Sequence, residues 1–454
     1  LSEPSRGLKL PSVPILVLVA ALLVDSLLSD VSSIVNKALP EAARIVLFSS
    51  IALIAIVSGS SAVLHNVRKV KAEVASNNKA LLFISRIIPF IQYTIIGLLI
   101  LLTLQIIFTQ QFLNFFLVAS LALSWSTGVI LMGMMSFKLI QWYKAKRNFL
   151  VLLYAAASVM FCATLGLTIV PQILITIQSA SFYVNSHSTE VKPFQANPEV
   201  LSTLFAIISI ANWMVLPLWF IVWAATALML SHYSKKFGRA KYWTMLSVPL
   251  ASVIIATISW IVFLPSLSSI FDQRVIFYTM MAFGSILAFG LLLSFAFMTI
   301  SKGIEKRMHA KINEYLGISA LGVALVFVSF FANPSAGSYL PFGVLSASFF
   351  AFGAYLFFSG IYSSAVSIAS DSGLRESIRK SAMQQSKLFD SIGTAHMEQE
   401  IQERVLKVAK EQEDALREQT GIEPSFSEED MRQYLIQVIE EVKKSRNSTS
   451  NPTK

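Results

Sequence analysis

The chain has 454 residues, of which 55% are hydrophobic and only 14% charged, with a mean hydropathy of +0.64; soluble domains carry about a quarter of their residues as charges. This balance excludes an ordinary soluble domain and points to an all-α, polytopic transmembrane helix bundle. The net charge of +10 does not indicate nucleic-acid binding, because the basic residues flank apolar stretches instead of forming a patch on a polar domain. Up to residue 369 the chain holds 23 basic and 10 acidic residues, and the remainder holds 13 and 16. The basic excess therefore belongs to the apolar part, where it suits contact with anionic lipid headgroups.

A helix needs about 20 apolar residues to cross a ~30 Å hydrocarbon core. Ten stretches meet or approach this requirement, at 12–31, 45–65, 88–109, 112–137, 149–175, 201–230, 244–266, 275–300, 315–332 and 341–368. They are too long and too uniformly apolar for barrel strands. In the first, Arg6 and Lys9 precede an apolar core from Val13 to Val24, a shape shared by signal peptides and first membrane anchors. No small-residue cleavage site follows, which favours the anchor. Asp25 and Asp30 close this stretch. The pattern favours an early end to the span with both aspartates wetted; at bilayer depth Asp25 would instead carry a proton or pair with a cation.

The third to seventh stretches hold the remaining polar candidates. Gln92, Gln105, Asn114 and Asn212 are expected to hydrogen-bond between helices, and Asn114 and Asn212 join Asp25 as candidate ligand contacts. Pro89, Pro171, Pro217, Pro249 and Pro265 remove helix hydrogen bonds and allow kinks. No span shows the paired Gly/Pro interruption that marks a transporter's midplane site. Met132, Met134 and Met135 have no His or Cys at ligating distance in sequence and read as packing. Cys162 is the only cysteine, so no intrachain disulfide forms.

Aromatic rings crowd the sixth stretch, with Trp213, Trp219 and Trp223, and the tenth, with Phe349, Phe350, Phe352, Tyr355, Phe357 and Phe358. Lipid-facing and interfacial anchoring is the expected role for most of them, and an aromatic-lined pocket is the alternative. The even-numbered stretches end near residues 66, 138, 231, 301 and 369, which suggests five helix hairpins. Ala288-Phe289-Gly290 and Ala351-Phe352-Gly353 recur in two of them.

Charge sets the orientation. Nineteen Lys and Arg residues lie on one side of the spans, in the N-terminus and four loops, while Lys37, Arg44, Lys192 and Arg274 lie on the other. Both termini are expected in the cytoplasm, after an even number of crossings of the cell membrane. Residues 1–11 form a cytoplasmic start, 12–369 the ten-span domain, 370–446 a cytoplasmic helical tail and 447–454 a disordered end.

In the tail, Met397, Ile401, Val405 and Val408 recur at helical spacing, predicting an amphipathic helix over 394–419 that Gly421 closes. Ser425 and Glu428 form a capping box for a second helix, with Met431, Leu435, Val438 and Val442 on its apolar face. These faces, within residues 394–443, are expected to meet a cytoplasmic protein or a second copy of the chain. His396, followed by Met397 and Glu398, has the placement of a sensor-kinase phosphoacceptor, but the chain after it is too short for an ATP-binding domain. His396 is expected to be solvated.

The sequence contains no HExxH, no G-x-S-x-G, no Walker A loop and no pair of intramembrane aspartates. No catalytic residue, metal site or cofactor is expected, and the lipid bilayer is the one partner the composition specifies. A non-enzymatic sensor or scaffold that passes a membrane or extracellular cue to its tail is the favoured reading. A secondary transporter of an apolar or weakly polar solute, or an accessory subunit of a membrane complex, are the alternatives.

Overall fold

The structure is a computed structural model. It describes residues 12–32, 35, 38–74, 79–109, 114–185, 198–231, 238–263, 284, 288–301, 310–330, 332, 341–370, 391–402, 404–405 and 408. The described residues are all-helical, without strands. The helices are α1 (Ser12–Asp30), α2 (Glu41–Val74), α3 (Lys79–Thr109), α4 (Asn114–Ala145), α5 (Phe149–Asn185), α6 (Pro198–Ser231) and α7 (Arg239–Phe263). They continue with α8 (Ala288–Ser301), α9 (Ala310–Phe330), α10 (Val344–Ser348) and α11 (Phe350–Ser370). The tail contributes α12, over 391–402.

Seven of these helices, α2–α6, α9 and α11, are long and apolar enough to cross a membrane, and α1 and α8 contain shorter apolar segments. Several helices outrun their apolar cores: α2 carries Arg68, Lys69 and Lys71, and α3 starts at Lys79. Helix needs no apolar side chains to continue past the hydrocarbon, because its backbone hydrogen bonds are internal. Pro89, Pro171, Pro217 and Pro249 all lie inside helices. Pro265 and the second tail helix lie outside the described residues.

Burial separates a centre from a periphery. In the most apolar window, 94% of α9 and 83% of α11 is buried, against 25–44% in the other five long helices. The two central helices run antiparallel, because Gly360 faces Tyr315 and Ser319, Gly322 faces Leu356 and Phe357, and Gly353 faces Leu325 and Val326. A Cβ at any of these glycines would strike the partner helix at under 3 Å. Small residues let two backbones approach where lipid gives no hydrophobic drive for helix association. Gly290 of α8 meets Phe327, so both Ala-Phe-Gly sequences place their glycine against the same level of α9.

The rings of the tenth stretch are not lipid-facing as expected. Phe349, Phe350, Phe352, Tyr355 and Phe358 are all buried, because α11 is a central helix whose every face meets protein. Phe349 interrupts it for one residue, separating α10 from α11. The break has no Gly or Pro of its own. Its two rings instead occupy places cleared elsewhere, Phe349 over Gly59 of α2 and Phe350 over Gly128 of α4. Ser124 of α4 satisfies the freed backbone: its hydroxyl donates to the Ala347 carbonyl at 2.8 Å and accepts from the Ala351 N–H at 3.2 Å. Non-helical backbone away from water requires this kind of local replacement.

Candidate functional site

Helix α1 continues through Asp25 to Asp30, and the Asp25 side chain is fully buried. The expected early end with wetted aspartates is therefore corrected for Asp25. The reason lies more than 300 residues further along the chain. Gly343 adopts a left-handed φ of 89° and turns the backbone into α10, leaving N–H groups at the start of that short helix without intrahelical acceptors. Asp25 accepts from the Gly343 N–H at 3.0 Å and from the Ser346 N–H at 2.8 Å. The Ser346 hydroxyl lies 2.9 Å from the same carboxyl and 2.6 Å from the Leu22 carbonyl. Asp25 thus caps, from α1, the first turn of a separate helix. This geometry fastens α1 to the centre of the bundle.

Asn114 is the first residue of α4 and Asn212 lies within α6; their side chains are outside the described set. Gln92 is fully buried in α3, and neither amide atom has a partner among the described residues. The three candidates Asp25, Asn114 and Asn212 sit on three different helices, and no described contact brings them together.

Two cavities lie elsewhere; both are walled by α4, α5, α6 and α9, and the inner one also by α8, α11 and α12. An inner cavity of about 80 Å³ is bounded by Met135, Tyr154, Phe161, Trp219, Val326 and Phe357, among others. Its wall is almost wholly apolar. A hydrogen bond from the Tyr154 hydroxyl to the Met229 sulfur (3.2 Å) and one between Ser136 and Ser158 (2.8 Å) occupy its few polar groups. A second, outer cavity of about 330 Å³ is bounded by Trp125, Thr164, Thr168, Gln172, Val215 and Phe330, among others.

The two cavities lie end to end. On α5 the outer wall takes Thr168, Thr164 and Leu165, and the inner wall takes Phe161, Ser158 and Tyr154, all at helical spacing on one face. On α4 the outer wall ends at Val129 and the inner begins at Met132, and on α6 Val215 is followed by Leu218. Aromatic rings stand at the junction. Phe161 lies 5.1 Å from Phe330 and 6.3 Å from Phe327, and Trp219 lies 5.7 Å from Phe327 (centroid distances).

At the far end of the inner cavity one wall residue comes from the tail. Ile392 of α12 closes it beside Leu139 and Ile361. Helix α12 is seated by Gly393, whose missing side chain admits Ile368 of α11, and by Asn148, whose amide donates to the Ser391 hydroxyl at 2.9 Å. His396 is buried, with its ring edge-on to Tyr362 at 5.2 Å and to Trp142 at 6.5 Å. The expected solvated histidine is thus corrected: the buried face of α12 is Ser391, Ile392, Ala395 and His396, not the Ile401 stripe. Burial pulls the His396 imidazole below its ordinary value; Glu400 opposes this and Lys138 adds to it. The Nδ1 atom has no partner among the described residues. Ile401, Val405 and Val408 remain exposed.

Sequence reasoning missed this site because its parts carry no chemical signature. Ile392 and Gly393 are ordinary residues whose roles appear only when the tail is placed against α11. Among the described residues no group of three or more His, Cys, Asp or Glu gathers as a metal site. The chain matches no protein-family model, and no curated protein or solved structure matches it.

Proposed function

We propose that this chain is a non-enzymatic membrane sensor in which occupancy of the inner cavity sets the position of the tail. The observation that carries the reading is Ile392, a tail residue that forms part of the cavity wall. A guest that pushes on this residue acts on α12 directly, and a ligand shifts an equilibrium by its differential affinity for the two states. The exposed stripe of Ile401, Val405 and Val408 is then the surface offered to a cytoplasmic protein or a second copy of the chain. Ten spans in the cell membrane, with both termini cytoplasmic, complete this reading, supported by the charge asymmetry of the loops. The docked α12 contacts Trp142 and Asn148, which bracket Lys144, Lys146 and Arg147 in sequence, and this supports that orientation.

Deleting residues 371–454 is expected to leave a folded bundle and abolish recovery of a specific partner, or of a second tagged copy, in mild-detergent pull-downs. If the full chain recovers nothing above the truncated one, the signalling role is wrong. The interrupted α10–α11 helix favours a second reading, transport of an apolar or weakly polar solute, since broken helices line transporter sites. Solute-dependent uptake into proteoliposomes that survives removal of the tail would favour transport over sensing.

A further inference from the structure

The geometry points to a ligand class for the two cavities: a neutral amphiphile whose hydrogen-bonding head rests in the outer chamber and whose apolar end enters the inner one by displacing the Phe161 ring, which packs against Phe330 at 5.1 Å between centroids. This rests on the reading of the inner cavity as a ligand site and adds what would fill it. Three features select this class.

The first is charge. No Asp, Glu, Lys or Arg lines either chamber among the described residues, so an ionised head would be desolvated without a counter-charge. The second is the division of polarity. Thr164, Thr168, Gln172 and the indole of Trp125 all belong to the outer chamber. The Thr164 and Thr168 hydroxyls donate to carbonyls one turn back, at 2.9 and 3.0 Å, which leaves oxygen lone pairs free to accept from a hydroxyl or amide. The inner chamber offers rings, aliphatic groups and the Met132 and Met135 thioethers.

The third feature is size. A dry apolar cavity of about 150 Å³ takes benzene, so the inner chamber, at about 80 Å³, admits the end of an alkyl chain and not a whole ligand. The outer chamber, at about 330 Å³, falls at the lower end of the range for small-molecule sites. Thr164 of the outer wall lies about 9 Å along α5 from Ser158 of the inner wall, six residues away, a distance that a medium-length chain spans.

The test uses the full chain in lipid nanodiscs and two photoreactive forms of 1-octanol, one with its diazirine near the hydroxyl and one with it near the chain end, mapped by peptide mass spectrometry. The head-side probe is expected to label the 164–172 face of α5, and the chain-end probe the 132–139 and 218–222 walls. Excess 1-octanol should abolish both patterns, while octanoate and octylammonium should leave them in place. Phe161→Trp, which fills the junction, should remove chain-end labelling of the inner wall; Phe161→Leu, which opens it, should increase that labelling.

Competition by the charged congeners equal to that by 1-octanol would overturn the neutral-head assignment. Labelling confined to exposed positions such as Phe108, Ile130 and Phe137 would overturn the site itself. The readout does not involve the tail. Specific labelling with an unmoved tail would count against the sensor and leave this inference standing, and tail movement driven by some other guest would do the reverse.

Discussion

At the scale of single residues, Asp25 and His396 are two buried ionisable groups with opposite tasks. Asp25 holds together parts of the chain that are far apart in sequence, since its carboxyl satisfies the Gly343 and Ser346 N–H groups. Removing an acceptor from a buried donor costs about 1–3 kcal/mol per group. Asp25→Ala is therefore expected to lower the unfolding free energy by roughly 2–6 kcal/mol, and Asp25→Asn, which keeps one acceptor oxygen, by less. Thermal unfolding of the purified variants in detergent checks this; a shift for Asp25→Ala no larger than that of an exposed control such as Phe90→Ala would contradict the capping role.

His396 gives the docked tail a pH dependence of definite sign. Burial lowers its pKa in the docked state below the ordinary 6.5, with Glu400 and Lys138 the charged groups facing it. The undocked tail therefore binds more protons, and docking is favoured above about pH 6.5 and lost as the pH falls through and below that value. Hydrogen exchange of the 391–402 amides should speed up on acidification, after correction for intrinsic rates. In His396→Phe, which keeps a ring between Trp142 and Tyr362 but cannot titrate, the acid effect should disappear.

At the scale of elements, the crossing of α9 with α11 and the seating of α12 both depend on absent side chains. Gly360→Leu would drive a branched side chain into the Tyr315 and Ser319 backbone. Overpacking of this kind costs at least about 1–3 kcal/mol, and the variant is expected to lose the bundle's cooperative unfolding in calorimetry. Gly393→Leu meets the Ile368 side chain and should free α12 while leaving the bundle's transition where it was.

The elements differ in how far the sequence revealed them. Long apolar runs identified the helices of the bundle, because hydropathy and length are local properties and a backbone in lipid has few alternatives. The burial of Phe349, Phe350 and Phe352 was not legible: in a membrane protein both the lipid-facing and the central surfaces are apolar, so composition does not say which faces which. The helix break at Phe349 was hidden because its supports, Ser124, Gly59 and Gly128, lie on other helices. In the tail, the periodic stripe at Ile401, Val405 and Val408 was read as the face needing a partner, and it is exposed. The docked face escaped notice because a Gly, an Ala, a Ser and a His beside Ile392 make a weak hydrophobic pattern.

At the scale of the whole molecule, the proposed sensor joins the central helices, the two cavities and the tail. Packed Phe161, Phe327 and Phe330 rings separate the outer chamber from the inner one, the inner one ends on Ile392, and Ile392 belongs to a helix held by Gly393 and Asn148. On the sensor reading, cavities without charged lining among the described residues act through fit alone. A guest that fits only when Ile392 is displaced favours the undocked tail, and a guest that packs against it favours the docked one.

Pulsed electron-spin distance measurement between labels at Arg147, next to Asn148 where α12 is held, and Arg404, on the exposed side of the tail helix, tests the central claim most directly. With Cys162 replaced by Ser and the full chain in nanodiscs, the account predicts one narrow distance without added ligand. It predicts a longer, broader distribution in Gly393→Leu, and a shift on adding 1-octanol that Phe161→Trp abolishes. A distribution that is broad from the start, or that responds to neither the substitution nor the alcohol, would contradict the coupling of cavity and tail.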